Sequence, residues 1–385
     1  MTVTSRRLRG PVPLAIAGSA AVAVGFGFAR YGFGSFVSTF RSEFGLSTAM
    51  IGAVGSAASA MYLVALLACG VLTARWGPRL PVFLANVSAV VGLGMVASAT
   101  SAPVLIAGFV VAAASSGLVW GPFADAVAGS VRPRWQDSAL SIVGTGTTFG
   151  LIVVGVLALW AADGPDHAWR LVWLVLTGVA AVVTVVALIA VPRGAPVKKA
   201  RAPRFRPTSA AAALWGMSAL YGLAGAAFFT FAVDLVRGEG LGPQWSSLLW
   251  LLVGVGGISG VVTARMVEAA GLGGALLGSV VLLAVTIAAM AANPTSVTVT
   301  AVAALGFGFA YMPFASLLSI WNQRLHPSHP TSGLVVTLCS LGIGAIIGPV
   351  AVGAVADAHG LRLAFVATAV LFAACTLPLC GRARS

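Results

Sequence analysis

The sequence predicts an all-α integral membrane protein with twelve transmembrane helices in two pseudo-symmetric six-helix bundles. Three observations lead to this prediction. Of the 385 residues, 59% are hydrophobic and only 8% are charged, whereas a soluble protein carries about 25% charged residues. Apolar stretches long enough to cross a membrane recur along the whole chain. Short sequences from the first half also return in the second half in the same order.

The length of the apolar stretches places the twelve predicted spans. The first stretch is interpreted as a span and not as a signal peptide, because its apolar part is too long and many similar stretches follow. The predicted spans are 11–39, 49–73, 80–100, 103–128, 138–161, 169–191, 209–236, 244–266, 272–292, 296–320, 331–356 and 361–380.

The first span contains GFGFARYGFG, Gly25 to Gly34, with Arg30 in its middle. A central arginine costs about 2.5–3.5 kcal/mol on insertion scales, so we expect Arg30 to face protein, water or a ligand and not lipid. The glycines around it thin the helix and allow a neighbour or a substrate to approach its backbone.

The basic residues predict the orientation of the chain, because cytoplasmic connections carry an excess of Lys and Arg. With a cytoplasmic N-terminus, the connections predicted to lie outside hold four of the 22 basic residues, Arg41, Arg170, Arg237 and Arg362. Apart from Arg30, the others fall inside. Both termini are therefore expected in the cytoplasm.

One polar stretch, Pro192 to Pro207, interrupts the apolar pattern near the middle of the chain. Its prolines and six cations do not suit a membrane helix, and we interpret it as a cytoplasmic linker attracted to the lipid surface. It predicts an N-terminal six-helix bundle (1–191), a linker (192–208) and a C-terminal six-helix bundle (209–385).

The two predicted bundles share short sequences at nearly constant spacing, which indicates one six-helix unit used twice. Parallel repeats of this kind form a cavity at their interface, and rocking of one repeat against the other gives alternating access. The matching pairs are GVLTAR from Gly70 with GVVTAR from Gly260, Pro122-Phe123-Ala124 with Pro313-Phe314-Ala315, and Arg41-x-Glu43 with Arg237-x-Glu239.

With these features, the chain resembles a permease of the major facilitator superfamily (MFS) over essentially its whole length. The family's signature after the second helix is matched by Gly70-VLT-Ala74-Arg75-Trp76-Gly77-Pro78-Arg79, with Ala74 in place of an Asp. Gly344-AII-Gly348-Pro349 in the eleventh span is similar to a glycine-proline motif of drug/proton antiporters. The resemblance implies the MFS fold and a monomeric bacterial inner-membrane transporter, which moves a small molecule by alternating access.

Arg30 is the first candidate for substrate binding. No acid lies at its depth in the predicted spans, and a guanidinium beside a central cavity suits a carboxylate, which it can bind in a bidentate way. The alternative is a structural role in which backbone carbonyls or a helix C-terminus satisfy it. The anionic solute is therefore a hypothesis.

Aromatic residues at corresponding places of the two halves are the other candidates for substrate contact. The resemblance implies that the first, fourth, seventh and tenth helices line the path. The alternative is that these rings pack in the core or lie at the membrane interface. The residues are Tyr31, Trp120, Tyr221 and Tyr311.

Three groups are candidates for gating or structural roles. The resemblance implies a cytoplasmic latch between Asp125 and the basic signature residues Arg75 and Arg79; a proton site or no specific role are the alternatives for Asp125. Asp234 is interpreted as a rim residue near Arg237, with a coupling site as the alternative and a contact to Arg30 across the outer gate as a further hypothesis. Gly348 and Pro349 complete the set.

Other classes of protein fit the sequence poorly. The basic residues are scattered between apolar runs, which argues against nucleic-acid binding, and the cysteines and histidines lack metal-ligand spacing, so no metal or cofactor is expected. An enzyme would need catalytic groups clustered at one depth. The alternatives that stay open are a drug efflux permease for lipophilic compounds and a non-transporting scaffold or receptor. The coupling ion is also open, with protons among the partners considered.

Overall fold

A computed structural model describes residues 11–162, 167–192, 208–242, 244–326 and 330–380 of the chain. Within these residues all regular structure is helical, as predicted. The helices of the first half are α1 (Pro11–Val22), a π-helical segment (Ala23–Tyr31), α2 (Gly32–Phe44), α3 (Thr48–Trp76), α4 (Arg79–Ala97), α5 (Ala102–Ser130), α6 (Pro133–Gly144), α7 (Gly146–Ala162) and α8 (Ala168–Ala190).

The helices of the second half follow the predicted spans equally closely. They are α9 (Ser209–Gly238), α10 (Trp245–Gly257), a 3-10 segment (Ile258–Val262), α11 (Thr263–Ala292), α12 (Val297–Leu325), α13 (Pro330–His359) and α14 (Leu361–Cys380). The predicted linker, 192–208, lies almost wholly outside the described residues, so the division of the chain at that point stays a prediction.

Ten helices in the described residues are long and apolar enough to cross a membrane. The longest of them, Ser247–Ala292, contains Gly271 with φ 69° and ψ 167°, which interrupts the helix at the predicted break between the eighth and ninth spans. A shorter apolar helix, Leu361–Leu377, occupies the place of the twelfth span. The predicted positions are therefore all helical, while the full count of twelve crossings is not established.

The chain forms two compact units. Unit 1 comprises residues 1–30, 64–150 and 170–200. In it, α4 and α5 approach closely because small residues meet: a Cβ on Gly108 would lie 2.9 Å from the Gly92 carbonyl oxygen. Phe109 meets Trp173 edge to face, with ring centroids 5.2 Å apart. These apolar contacts form the core of unit 1.

Unit 2 comprises residues 31–63, 151–169 and 201–385. It therefore includes α2 and the first part of α3 from the N-terminal repeat, together with the described C-terminal repeat. Its core is aromatic, with Phe228 stacked on Phe307 at 3.6 Å between ring centroids. Glycines let α9 and α13 touch backbone to backbone, Gly222 against the Leu341 carbonyl and Gly344 against the Ala219 carbonyl.

Candidate functional site

Arg30 lies at the end of the π-helical segment Ala23–Tyr31, where the helix is wider than an α-helix. Its side chain is partly buried, and its Nη1 atom is fully buried. Short π segments inside α-helices frequently mark functional sites. The structure thus places the one predicted intramembrane arginine on an irregular part of its helix.

Glycines hold the π-helical segment against its neighbours within unit 1. A Cβ on Gly150 would lie 2.6 Å from the Ala23 carbonyl oxygen and 2.8 Å from the Gly27 Cα, so α7 touches the segment's backbone. On another side, a Cβ on Gly25 would lie 3.2 Å from Val119 of α5. This packing fixes the segment that carries Arg30.

Tyr31 belongs to an aromatic group within unit 2. Its ring stacks on Phe229 at 4.0 Å, and Phe229 in turn stacks on Trp250 at 5.2 Å between ring centroids. Tyr31 is partly exposed, whereas Phe229 and Trp250 are buried. The side chain next to Arg30 in the sequence is therefore stacked on one buried ring, Phe229, which a second buried ring supports from behind.

Tyr221 of α9 and Tyr311 of α12 lie together, and both are buried. Their rings stack at 4.4 Å, and the Tyr221 hydroxyl donates a hydrogen bond of 3.0 Å to the Tyr311 backbone carbonyl. Phe314 stacks on the other side of Tyr221 at 4.8 Å. In this structure the two tyrosines pack in the aromatic core of unit 2, and their contact with a solute stays a prediction.

Trp120 and Asp125 are exposed residues of α5 in unit 1. Arg75 at the end of α3 is also exposed, with its guanidinium carbon 6.0 Å from the Trp76 ring centroid, and Arg79 begins α4. All these residues belong to unit 1. The latch between Asp125 and the two arginines stays a prediction.

Asp234 in α9 is paired with Arg41, at the end of α2. The Arg41 Nε donates to Asp234 Oδ1 at 3.2 Å, and its Nη2 donates to Oδ2. The same Nη2 also donates to the Thr48 hydroxyl at 3.1 Å. Arg41 was expected as an outside cation and as part of a repeated Arg-x-Glu motif, and this motif was the sequence signal that the position matters.

Gly348 and Pro349 lie at a contact between α13 and two other helices of unit 2. Gly348 touches the backbone of Leu223 in α9. A Cβ on Gly52 of α3 would lie 2.6 Å from the Pro349 carbonyl oxygen, so α3 and α13 also meet backbone to backbone. Near this contact the Ser56 hydroxyl donates to the Ile346 carbonyl at 2.6 Å. These residues therefore join the N-terminal and C-terminal repeats.

The part of the chain that the structure describes contains no group of three or more His, Cys, Asp or Glu side chains that could hold a metal ion.

Comparison with known sequences identifies the family. The Major Facilitator Superfamily matches residues 20–342, which is most of the chain. Chloramphenicol efflux pumps from two strains of Mycobacterium tuberculosis, CDC 1551 and H37Rv, are each 28% identical over 300 residues. That match covers 72% of this chain and 70% of each pump.

Solved transporter structures share the fold. The nucleoside transporter NupG is 15% identical, with a TM-score of 0.73 over 97% of this chain and 98% of that chain. A D-xylose-proton symporter is 14% identical, with a TM-score of 0.73 over 94% and 96%. At such identities the likeness concerns the fold alone. Together with the family match, it shows that this chain is a multi-pass membrane protein of the Major Facilitator Superfamily.

Proposed function

We propose that the protein is a transporter that moves a small organic solute across the bacterial inner membrane by alternating access, with a preference for solutes that carry a carboxylate or another anionic group. Family membership supports the transport of a small molecule. The anionic preference rests on one observation, the placement of Arg30 on a π-helical segment inside an apolar span. The proposal includes cytoplasmic termini and a monomer.

The chemistry of Arg30 supports this preference. A guanidinium within a membrane span is costly unless it meets protein, water or a ligand, and a residue of this kind is a candidate functional site by default. Its planar fork matches a carboxylate in a bidentate way. The close packing at Gly25 and Gly150 fixes the backbone that carries this side chain before the solute arrives.

Four aromatic residues are the other proposed solute contacts, each considered within its own unit. Tyr31 follows Arg30 in the chain and is held by Phe229, so it offers an aromatic face one residue after the charge. Trp120 has 41% of its surface exposed and offers a second aromatic face. Tyr221 and Tyr311 contribute ring faces if α9 and α12 move during the transport cycle, because their present positions are buried.

A thermal-shift screen of the purified protein tests the proposal, because a solute that binds the native state raises the melting temperature. We expect organic anions to stabilise the wild type, Arg30→Lys to bind them more weakly, and Arg30→Ala not to bind them. The control is Arg132→Ala, which removes an exposed cation from the same unit. Equal affinity in the wild type and both Arg30 variants would contradict the anionic preference. Solute uptake with and without a pH gradient then tests protons as the coupling ion.

The second candidate function is efflux of lipophilic drugs, and the relatives favour it, because two of them are chloramphenicol efflux pumps. The largely aromatic and apolar surroundings of Tyr31 are compatible with such compounds. Expression in a drug-sensitive host separates the two functions. If the protein exports drugs, cells that express it should accumulate less chloramphenicol, which carries no carboxylate, than cells that do not. The Arg30→Ala variant should have the same effect. The anion proposal predicts no effect on chloramphenicol.

A further inference from the structure

Two arginines reach from one sequence repeat to the other on the side predicted to face outside. Arg41 of the N-terminal repeat binds Asp234 through two hydrogen bonds. Arg237 of the C-terminal repeat donates from Nη1 to the Ser38 hydroxyl at 3.2 Å. All four residues belong to unit 2.

The two contacts are equivalent by the repeat. When Arg41-x-Glu43 is aligned with Arg237-x-Glu239, Ser38 corresponds to Asp234, because each lies three residues before its arginine. Each arginine therefore contacts the residue that lies about one helical turn before the other arginine. Such reciprocity is the pattern of a two-fold interface, in which residue i contacts j and j contacts i. One contact ends on a carboxylate and the other on a neutral hydroxyl.

The glutamates of the same motif anchor the helix ends that carry the arginines, each within its own repeat. Glu43 accepts a hydrogen bond of 2.6 Å from the Trp169 indole, and Glu239 lies 3.7 Å from Arg362. The ends of α2 and α9 are thereby tied to α8 and α14. In each Arg-x-Glu motif, the glutamate thus contacts a residue of its own repeat and the arginine contacts a residue of the other repeat.

We propose that these reciprocal contacts form a clasp, defined by Ser38, Arg41, Asp234 and Arg237, that holds the two repeats together on the predicted outer side during alternating access. The arm from Arg41 to Asp234 carries most of the closing free energy because it is an ion pair. The arm from Arg237 ends on the Ser38 hydroxyl, which binds a guanidinium less strongly than a carboxylate does, and this keeps the closure weak enough to open in each cycle. This inference rests on the proposed alternating access, but not on the identity of the solute or on Arg30.

Labelling of a cysteine at position 56 measures the closure. Ser56 lies eight residues inward from Thr48, roughly 12 Å along the helix, and it is buried against Ile346 of the opposite repeat. Ser56→Cys is introduced where the four native cysteines are replaced by serine. The protein is reconstituted in nanodiscs and labelled with a membrane-impermeant maleimide. An open clasp exposes the thiol, and a closed clasp protects it.

We expect Asp234→Ser to raise the labelling rate about fivefold, the factor that corresponds to a partly exposed ion pair. Ser38→Asp is expected to lower the rate, because both arms then carry an ion pair. Ser38→Asn is its uncharged control and is expected not to lower it. The Ser38→Asp/Asp234→Ser double variant moves the acid to the other repeat and is expected to restore the starting rate.

The double variant decides the proposal. If it labels as fast as Asp234→Ser alone, the two arms are not equivalent and the clasp is overturned. Unchanged rates in both single variants would also overturn it. Size-exclusion profiles and melting temperatures identify variants that fail to fold. If Asp234→Ser fails to fold, Asp234→Asn is used in its place. Absence of any solute response with intact labelling differences would contradict the proposed function and leave the clasp standing.

Discussion

Arg362 in the C-terminal repeat makes the same kind of contact as Arg170 in the N-terminal repeat. Arg170 donates from Nη1 to the Ala99 carbonyl at 2.6 Å, just beyond the end of α4. Arg362 donates from Nη2 to the Ala292 carbonyl at 2.8 Å, at the end of α11. Each guanidinium caps the helix end that precedes the fourth span of its repeat, where backbone carbonyls lack helical partners. The repeat seen in the sequence is thus also a repeat of contacts.

This cap predicts a loss of stability on substitution. Arg170→Ala should lower the free energy of unfolding by about 1–2 kcal/mol, because a charged hydrogen bond to buried carbonyls is lost. Equilibrium unfolding in mixed micelles measures the change. Arg132→Ala removes an equally charged but exposed side chain and should change little. Equal effects of the two substitutions would show that Arg170 acts only through net charge.

The contact between α7 and the π-helical segment predicts a second effect. Gly150→Ala places a methyl group 2.6 Å from the Ala23 carbonyl oxygen, so the helices must separate, at a cost of about 1–3 kcal/mol. Both the melting temperature and solute binding should fall, since the segment carries Arg30. Gly178→Ala is the matched control, because a Cβ there meets nothing within 4 Å. A Gly150→Ala protein with wild-type melting and binding would contradict the close packing.

The hydroxyl of Tyr221 gives a third prediction. Since it donates to the Tyr311 carbonyl, Tyr221→Phe should lower stability by about 1 kcal/mol and leave solute affinity unchanged. Tyr221→Leu removes the ring stacked between Tyr311 and Phe314 and should weaken both. Melting curves with and without a stabilising solute separate the two properties. Loss of affinity in Tyr221→Phe would instead assign the hydroxyl to the solute.

His326 gives a prediction for pH. It follows the end of α12, outside the membrane-spanning segment, and burial lowers its pKa below the ordinary value of 6.5. The unfolded chain therefore binds the proton more tightly than the folded chain. The stability that depends on neutral His326 is fully present above pH 6.5 and is lost as the pH falls through the lower pKa of the folded protein.

Melting temperatures at about pH 7.5 and about pH 5 test this linkage. The wild type should lose stability on acidification, and His326→Gln, which stays neutral, should lose less. An identical pH dependence in the two proteins would show that His326 does not contribute.

The positions of the helices could be predicted from the sequence because hydrocarbon thickness fixes the length of an apolar span. The predicted span 361–380 coincides with α14, and 209–236 ends two residues before α9 does. The connection between the eighth and ninth spans was also expected where Gly271 takes a positive φ. These features depend on local composition, which the sequence contains directly.

The π-helical segment could not be predicted. Residues 23–31 are apolar and glycine-rich, like much of the chain, and nothing in them alone separates a π-helix from an α-helix. The segment packs against Gly150, which lies far away in the sequence. Contacts of this kind depend on tertiary structure, so Arg30 was found by its charge and not by its unusual backbone.

The contact between Asp234 and Arg41 also could not be predicted from the sequence. The sequence placed Asp234 near Arg237, whose charge does act on the carboxylate, and suggested Arg30 as a further contact. The sequence did not suggest Arg41, which binds the carboxylate directly. Sequence repeats show which positions correspond to each other, but they do not show which positions meet. The reciprocal contact required the fold.

The single acid of the clasp has a consequence for the surroundings in which the protein works. Arg41 keeps 33% of its side chain exposed and Asp234 keeps 11%, so dissolved ions reach this pair. Screening shortens the range of such an attraction from about 8 Å at physiological ionic strength to about 3 Å in 1 M salt. We therefore expect the salinity around the protein to set how firmly the proposed clasp holds the two repeats together.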